Sequence, residues 1–323
     1  MKILFVGGTG IISSACSELC LEKGYDLFLL NRGESIRKAP DGVKQITADI
    51  NNIEQCKSLL KEHQFDSVVS WIAYTPEHVK RDLEIFSGIT SQYIFISSAS
   101  AYAKPPAINL NETHKIWNPV WEYSQNKVLC ERYLEKVYSE TNFPITIVRP
   151  SHTYDKTTIP LQGHYTTLAR LFKGKEVIIH GDGTTLWTLT HHKDFAKGFV
   201  PLLGNKKTIG ETYHITGDEH LTWDQICKTM ANAAGVEAKI VHVPSDYIMK
   251  HDKDWGDGLL GDKAYNMVLD NSKIKSIAPE FKCEIPFAKG AKEIVKWYKE
   301  NESTRTVDKE LEKLMDELVL KFK

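Results

Sequence analysis

Met1-Lys-Ile-Leu-Phe-Val-Gly-Gly-Thr-Gly-Ile-Ile-Ser13 sets an apolar run, Ile3 to Val6, directly ahead of glycines 7, 8 and 10. A short apolar run bounded by glycine reads as a buried strand. The glycines let the backbone turn tightly and approach a pyrophosphate at the start of the next helix, where free N–H groups and the helix dipole favour anions. Outward from this start, short apolar runs alternate with helical patterns: Asp26 to Leu30, Lys44 to Ile46, Ser67 to Trp71, Tyr93 to Ile96 and Ile145 to Val148. The alternation predicts an α/β fold, a Rossmann-type doubly wound parallel sheet wrapped by helices. Lys175 to His180 reads as a further strand, and Gly210 to Thr216 as one that returns to the main sheet. The domains are therefore expected to be discontinuous. Residues 1–150 and 182–217 form the dinucleotide-binding domain, and 151–181 and 218–323 a smaller, mostly α substrate-binding domain built from the helix Trp223 to Ala234, a loop-rich stretch 244–262 and the C-terminal part. From Val307 onward, Leu311, Leu314, Met315, Leu318, Val319 and Phe322 recur at helical spacing, an amphipathic helix expected to dock on the protein's own body.

Two further elements bear on chemistry. Ser97-Ser98 follows the apolar run Tyr93 to Ile96, which places Ser98 at the carboxyl end of a parallel strand, where ligands sit in open sheets. Tyr123-Ser-Gln-Asn-Lys127 puts a phenol and an ammonium on one face of a helix, and a nearby ammonium lowers a phenol's pKa toward the value a general base needs. A dinucleotide loop, a base and an orienting hydroxyl together describe a nicotinamide redox site.

Charge and cysteine content narrow the class. Forty-one Lys and Arg against 42 Asp and Glu give a net charge of −1, which carries no electrostatic footprint for nucleic acid or an anionic membrane. Hydrophobic content of 41% and charged content of 26% are those of a soluble globular enzyme. The six cysteines are scattered without paired metal-ligand spacing, so no metal site is expected and reduced thiols in a cytoplasmic protein are. Glycines break the N-terminal apolar stretch within a few residues, so it reads as neither signal peptide nor membrane span. His191 and His192 are adjacent and point apart on any regular element, which suits a capped pair better than joint metal ligands. Trp71, Trp117 and Trp121 are expected in the core.

These residues resemble the extended short-chain dehydrogenase/reductases, the NAD-dependent epimerase/dehydratase family, over most of the chain. Gly7, Gly10 and Ser13 fall where that family has its three-glycine fingerprint, and Ser98, Tyr123 and Lys127 where it has its catalytic Ser/Thr, Tyr and Lys. Ala48-Asp49-Ile50 is similar to its adenine-contacting segment, Arg149-Pro150 to its Arg-Pro, and Gly181-Asp-Gly183 through Asp194 to its Gly-Asp-Gly motif and following helix. The resemblance implies that Tyr123 exchanges a proton with a substrate hydroxyl or carbonyl as hydride moves to or from the nicotinamide. Ser98 would bond the same oxygen, and Lys127 would hold the ribose. Gly7, Thr9, Gly10, Ile11, Ile12, Asn31, Arg32, Asp49, Ile50, Ala73, Lys127 and Pro150 would bind the cofactor, with Asp49 accepting from the adenine amino group. At the end of the second strand an acidic residue would mark NAD, but Asn31 and Arg32 stand there, which favours NADP over NAD. The family also implies a homodimer.

Two departures restrict the substrate. Ala99-Ser100 replaces the acidic pair that drives elimination in the dehydratases, so dehydration is not expected. Trp187 stands where many nucleotide-sugar enzymes place an arginine on the substrate diphosphate, which weakens a nucleotide-sugar assignment unless another cation such as Arg170 reaches the phosphates. His152 and Tyr154 border the expected cleft. The expected function is an NAD(P)-dependent oxidoreductase or epimerase of a sugar-like, small-molecule hydroxyl or carbonyl. The alternatives are a reductase of a small hydrophobic carbonyl, and a non-catalytic dinucleotide- or RNA-associated protein resembling the chloroplast stem-loop-binding relatives of this fold, against which the complete Ser98, Tyr123 and Lys127 set counts.

Overall fold

The computed structural model describes residues 1–301 and 306–323; residues 302–305, part of the expected substrate-binding segment, lie outside it. Twelve strands follow in chain order: β1 (Lys2–Val6), β2 (Asp26–Asn31), β3 (Lys44–Thr47), β4 (Ser67–Ser70), β5 (Tyr93–Ile96), β6 (Ile145–Pro150), β7 (His152–Tyr154), β8 (Glu176–His180), β9 (Leu186–His191), β10 (Thr212–Ile215), β11 (His220–Thr222) and β12 (Lys239–Val243). Seven of them form one sheet in the order β10-β6-β5-β4-β1-β2-β3, and every pairing in it is parallel. Helices cover both faces of such a sheet, so its central strands are apolar throughout rather than alternating. β4, β5 and β6 are buried along their whole lengths. β1 pairs with β2 on one side and β4 on the other, and the chain changes direction there. That switch point opens a crevice at the carboxyl ends of the strands, where ligands bind in open α/β sheets.

The remaining strands make two small sheets, β11-β9-β7 and β12-β8. β9 therefore leaves the main sheet, whereas β10, from the same stretch of sequence, rejoins it beside β6. The stretch 244–262, expected to be loop-rich, is helical instead: Ser245–His251, Lys253–Gly258 and a wide turn Leu259–Lys263. Its glycines and aspartates hide the helical period, and burial supplies what propensity lacks. A Cβ at Gly256 would lie 2.4 Å from the Met249 backbone, so glycine is what lets the two short helices pack this closely. Ile248, Trp255 and Leu259 join Val241, Val243 and the Met315, Leu318 and Val319 face of the terminal helix Lys309–Phe322 in one cluster, so that helix docks on the body. Of the three tryptophans expected in the core, Trp71 is buried, Trp117 is 48% exposed beneath Arg132, and Trp121 borders a cavity.

One buried ion pair joins the sheet to the helix Glu122–Thr141. Arg149, on β6, donates from Nε and Nη2 to Glu131 at 3.0 and 2.5 Å, and its guanidinium lies 4.8 Å from the Tyr102 ring centroid. Ser97, just past β5, donates to the same carboxylate. Both charged side chains are almost fully buried. Removing one partner from a buried pair strands the other charge, at a cost of about 3–5 kcal/mol. Arg149→Met is expected to destabilise the protein by that amount in urea denaturation, and Glu131→Leu with Arg149→Met to recover most of the loss; equal losses in single and double variants would contradict this assignment.

Candidate functional site

The glycine loop after β1 builds the first part of the crevice. Gly7 and Gly8 have φ of 96° and 86°, and a Cβ on Gly8 would lie 2.3 Å from Leu29 Cδ2, so conformation and space both demand glycine there. The helix Ile11–Glu22 begins at once, with the Gly10 N–H donating to Ser13 Oγ at 2.8 Å. Gly7, Thr9, Gly10, Ile11 and Ile12 border a cavity of about 580 Å3 that runs to Ser98, Tyr123, Lys127 and Pro150. A second cavity of about 510 Å3 continues past Gly7 to Asn31, Arg32, Asp49 and Ile50. The two share Gly7, Ser35, Ile72 and Tyr74, so one trough runs along the strand ends, with a glycine bend at its middle that a side chain would fill. An extended dinucleotide fits that shape, its pyrophosphate against the loop.

Within the trough the acceptors at the far end are partly committed. Asn31 Oδ1 accepts from the Gly33 N–H and Asp49 Oδ1 from the Asn51 N–H. Arg32 is largely exposed and lies 3.4 Å from Glu34. Ala73 is fully buried and borders neither cavity; its contribution is a carbonyl that accepts from Lys127 Nζ at 2.8 Å, as the Ile96 carbonyl does at 2.7 Å.

Ser98 and Tyr123 come together at the near end. Ser98 caps the short turn Ala99–Ala101, its Oγ accepting from the Ser100 N–H, and lies 2.9 Å from Ser100 Oγ, which in turn accepts from Ser124 at 2.7 Å. The Ser98 hydroxyl and the Tyr123 phenol border the same two cavities. Burial pushes that phenol up to about 12, against the lowering effect of Ser98. Lys127 is not among the influences on that phenol: its ammonium lies 5.7 Å from the Tyr123 ring centroid and donates to the Ala73 and Ile96 carbonyls. Burial lowers the Lys127 amine to about 8. Tyr74, which sequence reasoning did not single out, lies beside both groups, its ring centroid 4.7 Å from Lys127 Nζ and 6.5 Å from the tilted Tyr123 ring.

A cavity of about 390 Å3 opens on the far side of Ser98 and Tyr123. Trp121, Trp187 and Met267 make it apolar, and His152, Asp262 and Lys263 bring polar groups to it. Trp187 thus stands in the substrate-side wall, its indole N–H donating to His152 Nδ1 at 3.0 Å. Arg170 does not reach this cavity: it is buried behind β8, donating to the Glu176 carbonyl and to Asp316 on the terminal helix at 2.8 and 2.6 Å. Asp262 and Lys263 escaped the sequence reading because they lie at the end of, and just beyond, the stretch 244–262 taken for a loop, and nothing local marks them. His191 caps the helix His192–Phe199 and meets Glu293 at 3.1 Å, and His192 bonds the Ile11 carbonyl. Among the described residues no group of three His, Cys, Asp or Glu is placed to hold a metal, and no helix is long and apolar enough to cross a membrane.

A model of the NAD dependent epimerase/dehydratase family matches residues 3–216, more than half of the chain. Among curated proteins the chain is 28% identical over 256 residues to chloroplast stem-loop binding protein of 41 kDa b of Arabidopsis thaliana, a match covering 75% of this chain and 65% of that one. It is 20% identical over 285 residues to 2'-dehydrokanamycin reductase of Streptomyces kanamyceticus, covering 87% and 80%. The solved UDP-glucuronic acid 4-epimerase of Bacillus cereus in complex with NAD has the same fold, with a TM-score of 0.74, 20% identity and coverage of 93% and 99%.

The depressed amine of Lys127 makes a stability prediction. Below about pH 8 the amine is charged in both folded and unfolded chains, and the folded protein carries the full penalty of burying it. Between about 8 and the ordinary 10.5 the unfolded chain binds more protons, so stability rises with pH, and above 10.5 the penalty is gone. Lys127→Met removes this titration and also strands the Ala73 and Ile96 carbonyls, so it is expected to abolish Lys127's contribution to the rise in stability between pH 8 and 10.5. Denaturation of wild type and variant at three pH values checks this; a variant whose stability rises as steeply as the wild type's over that range would refute it.

Proposed function

Since the chain belongs to the NAD dependent epimerase/dehydratase family, we propose that it is an NAD(P)-dependent oxidoreductase or epimerase of a sugar-like hydroxyl or carbonyl, with Tyr123 as acid/base. One observation carries the reading: the trough and the substrate-side cavity share Ser98, Tyr123 and Pro150, so the phenol and the hydroxyl stand in the wall common to both. The residues of the trough would hold a nicotinamide cofactor, which when bound would supply or accept hydride at that wall. Ser98 donates to the substrate oxygen and holds it beside the phenol. In the direction of oxidation Tyr123 Oη receives the hydroxyl proton, and in reduction it gives a proton to the carbonyl oxygen. A phenol pushed up to about 12 is protonated at neutral pH, which suits reduction. Lys127, fixed beneath by two carbonyls, presents its remaining N–H to the cofactor ribose. The apolar face of Trp121 and Trp187 supports a second reading, reduction of a small hydrophobic carbonyl. We place the protein in the cytoplasm as a homodimer, with the expected domain division, and without a nucleic-acid function.

For the cofactor we propose NADP over NAD. Asn31 leaves no carboxylate at the end of β2 to repel a 2'-phosphate, and Arg32 stands exposed on the rim of the trough beside it. Glu34 competes for that guanidinium, so its carboxylate must swing away when the phosphate binds.

Tyr123→Phe keeps the ring packing and removes the proton, and is expected to lower turnover about 10²- to 10⁴-fold while cofactor affinity stays within a few-fold. Change in reduced-nicotinamide absorbance with a panel of sugars and aldehydes measures it, and turnover near the wild-type level would sink the assignment. Arg32→Ala is expected to weaken NADP binding by about 1–3 kcal/mol more than NAD binding. Calorimetry with each cofactor decides, and equal losses, or a wild type that prefers NAD, would reverse the proposal.

A further inference from the structure

The substrate-side cavity continues into another, of about 230 Å3, and His152 and Lys263 line both. They stand at the seam between the two. Each is held in one presentation by its neighbours. An indole nitrogen only donates, so the 3.0 Å bond from Trp187 Nε1 makes His152 Nδ1 the acceptor and leaves the ring proton on Nε2. Burial keeps that ring neutral by lowering it to about 3, and Nε2 is therefore a fixed N–H donor. The Lys263 backbone carbonyl accepts from His180 Nε2 and Trp223 Nε1 at 2.9 and 3.1 Å, which anchors the residue at the mouth of both cavities. Its ammonium lies 5.1 Å from the Trp121 ring centroid. Among the described residues neither His152 Nε2 nor Lys263 Nζ has a hydrogen-bonding partner.

Charge at the seam does not balance. Asp262 and Lys104 pair at 2.9 Å and cancel, while Lys263 beside them brings a second cation to the same carboxylate. Burial penalises the Lys263 ammonium, and the Trp121 ring face attracts the charge without neutralising it. A cation and a fixed N–H donor that border the same cavities without protein acceptors suit an anion with more than one oxygen. The site has one positive charge in surplus, which a single carboxylate matches, a nucleoside diphosphate exceeds and an amino sugar repels.

We propose that His152 Nε2–H and Lys263 Nζ together bind a carboxylate of the substrate, making the substrate class a sugar acid whose reacting hydroxyl or carbonyl lies in the neighbouring cavity against Ser98 and Tyr123. The identity of the reacting group rests on the reading under Proposed function; the anion site does not. The seam also explains how a chain with Trp187 in place of an arginine handles a charged substrate: the tryptophan sets the histidine tautomer, and the cation comes from the turn Leu259–Lys263.

Calorimetry on the protein saturated with NAD or NADP tests this with four members each of the gluco and galacto series: neutral sugar, uronate, 6-phosphate and 2-amine, with UDP alongside. In at least one series the uronate is expected to bind about tenfold to a hundredfold more tightly than the neutral sugar, the size of one charge-assisted hydrogen bond, with the amine and UDP weaker than the uronate. Lys263→Met is expected to bring the uronate-to-neutral ratio close to one, and Lys263→Arg to keep it. Thermal denaturation shows that each variant is folded. A neutral sugar or amine binding as tightly as the uronate in both series, a 6-phosphate or UDP binding more tightly than the uronate, a preference that survives Lys263→Met, or no binding by any member at millimolar concentration overturns the proposal. Because binding is read without turnover, uronate-selective binding with no nicotinamide chemistry would count against the oxidoreductase reading and leave the anion site standing.

Discussion

The buried carboxylate of Glu131 ties together the elements that carry Ser98, Tyr123 and Lys127. It sits on the helix Glu122–Thr141, one turn beyond Lys127 and two beyond Tyr123, and takes hydrogen bonds from Arg149 on β6 and Ser97 after β5. Ser98 and Pro150 are the next residues along those two strands. One desolvated ion pair thus locks the helix that bears the phenol and amine to the strands that bear the hydroxyl and the shared wall. Buried pairs of this kind are weak sources of stability but strict about geometry, since any shift leaves a charge unpaired in low dielectric. A second tie, from Lys127 Nζ to the Ala73 and Ile96 carbonyls, holds the same helix against the ends of β4 and β5.

Desolvation rather than neighbouring charge governs the titrating groups of the site. It raises the phenols of Tyr123 and Tyr74, lowers the amines of Lys127 and Lys263, and keeps His152 and His180 neutral near 3 and 4. The pattern follows from the walls: aromatic rings of Trp121, Tyr74 and Trp187 stand where water would otherwise screen. In such surroundings each hydrogen bond is worth more, and each group without one is conspicuous. The trough for the dinucleotide and the cavity beyond it are therefore electrostatically unlike. One is bordered by the glycine loop and the start of the helix Ile11–Glu22, the other by a few side chains whose partners can be traced one by one.

Local pattern and tertiary placement divide the protein between them. Glycines 7, 8 and 10 behind an apolar run, the strand before Ser98, and the Tyr123 to Lys127 spacing were legible because each is a short-range device: a positive φ, a strand end, a single helical turn. The alternation of runs carried the parallel sheet for the same reason, since strands buried on both faces are apolar throughout. Arg170 misled because its sequence neighbourhood says nothing of the terminal helix, which claims its guanidinium through Asp316. Trp121 misled because large aromatic area serves a cavity wall as well as a core, and Trp117 because it packs at the surface beneath Arg132. The stretch 244–262 misled because Gly256 and Gly258 signal breaks, whereas Gly256 is there to let Met249 approach.

What the sequence determined by itself was the sheet, the glycine loop after β1 and the proximity of Ser98, Tyr123 and Lys127, all of which rest on contacts within a few residues or on one repeated periodicity. Tertiary structure alone decided that burial, not Lys127, sets the phenol, because the ammonium is taken up by the Ala73 and Ile96 carbonyls. It alone brought Lys263 from the far end of the chain to His152 and Trp187, and it alone removed Arg170 from the site. Those outcomes depend on long-range burial, which moves pKa values and partners according to what packs nearby, and no spacing along the chain encodes that.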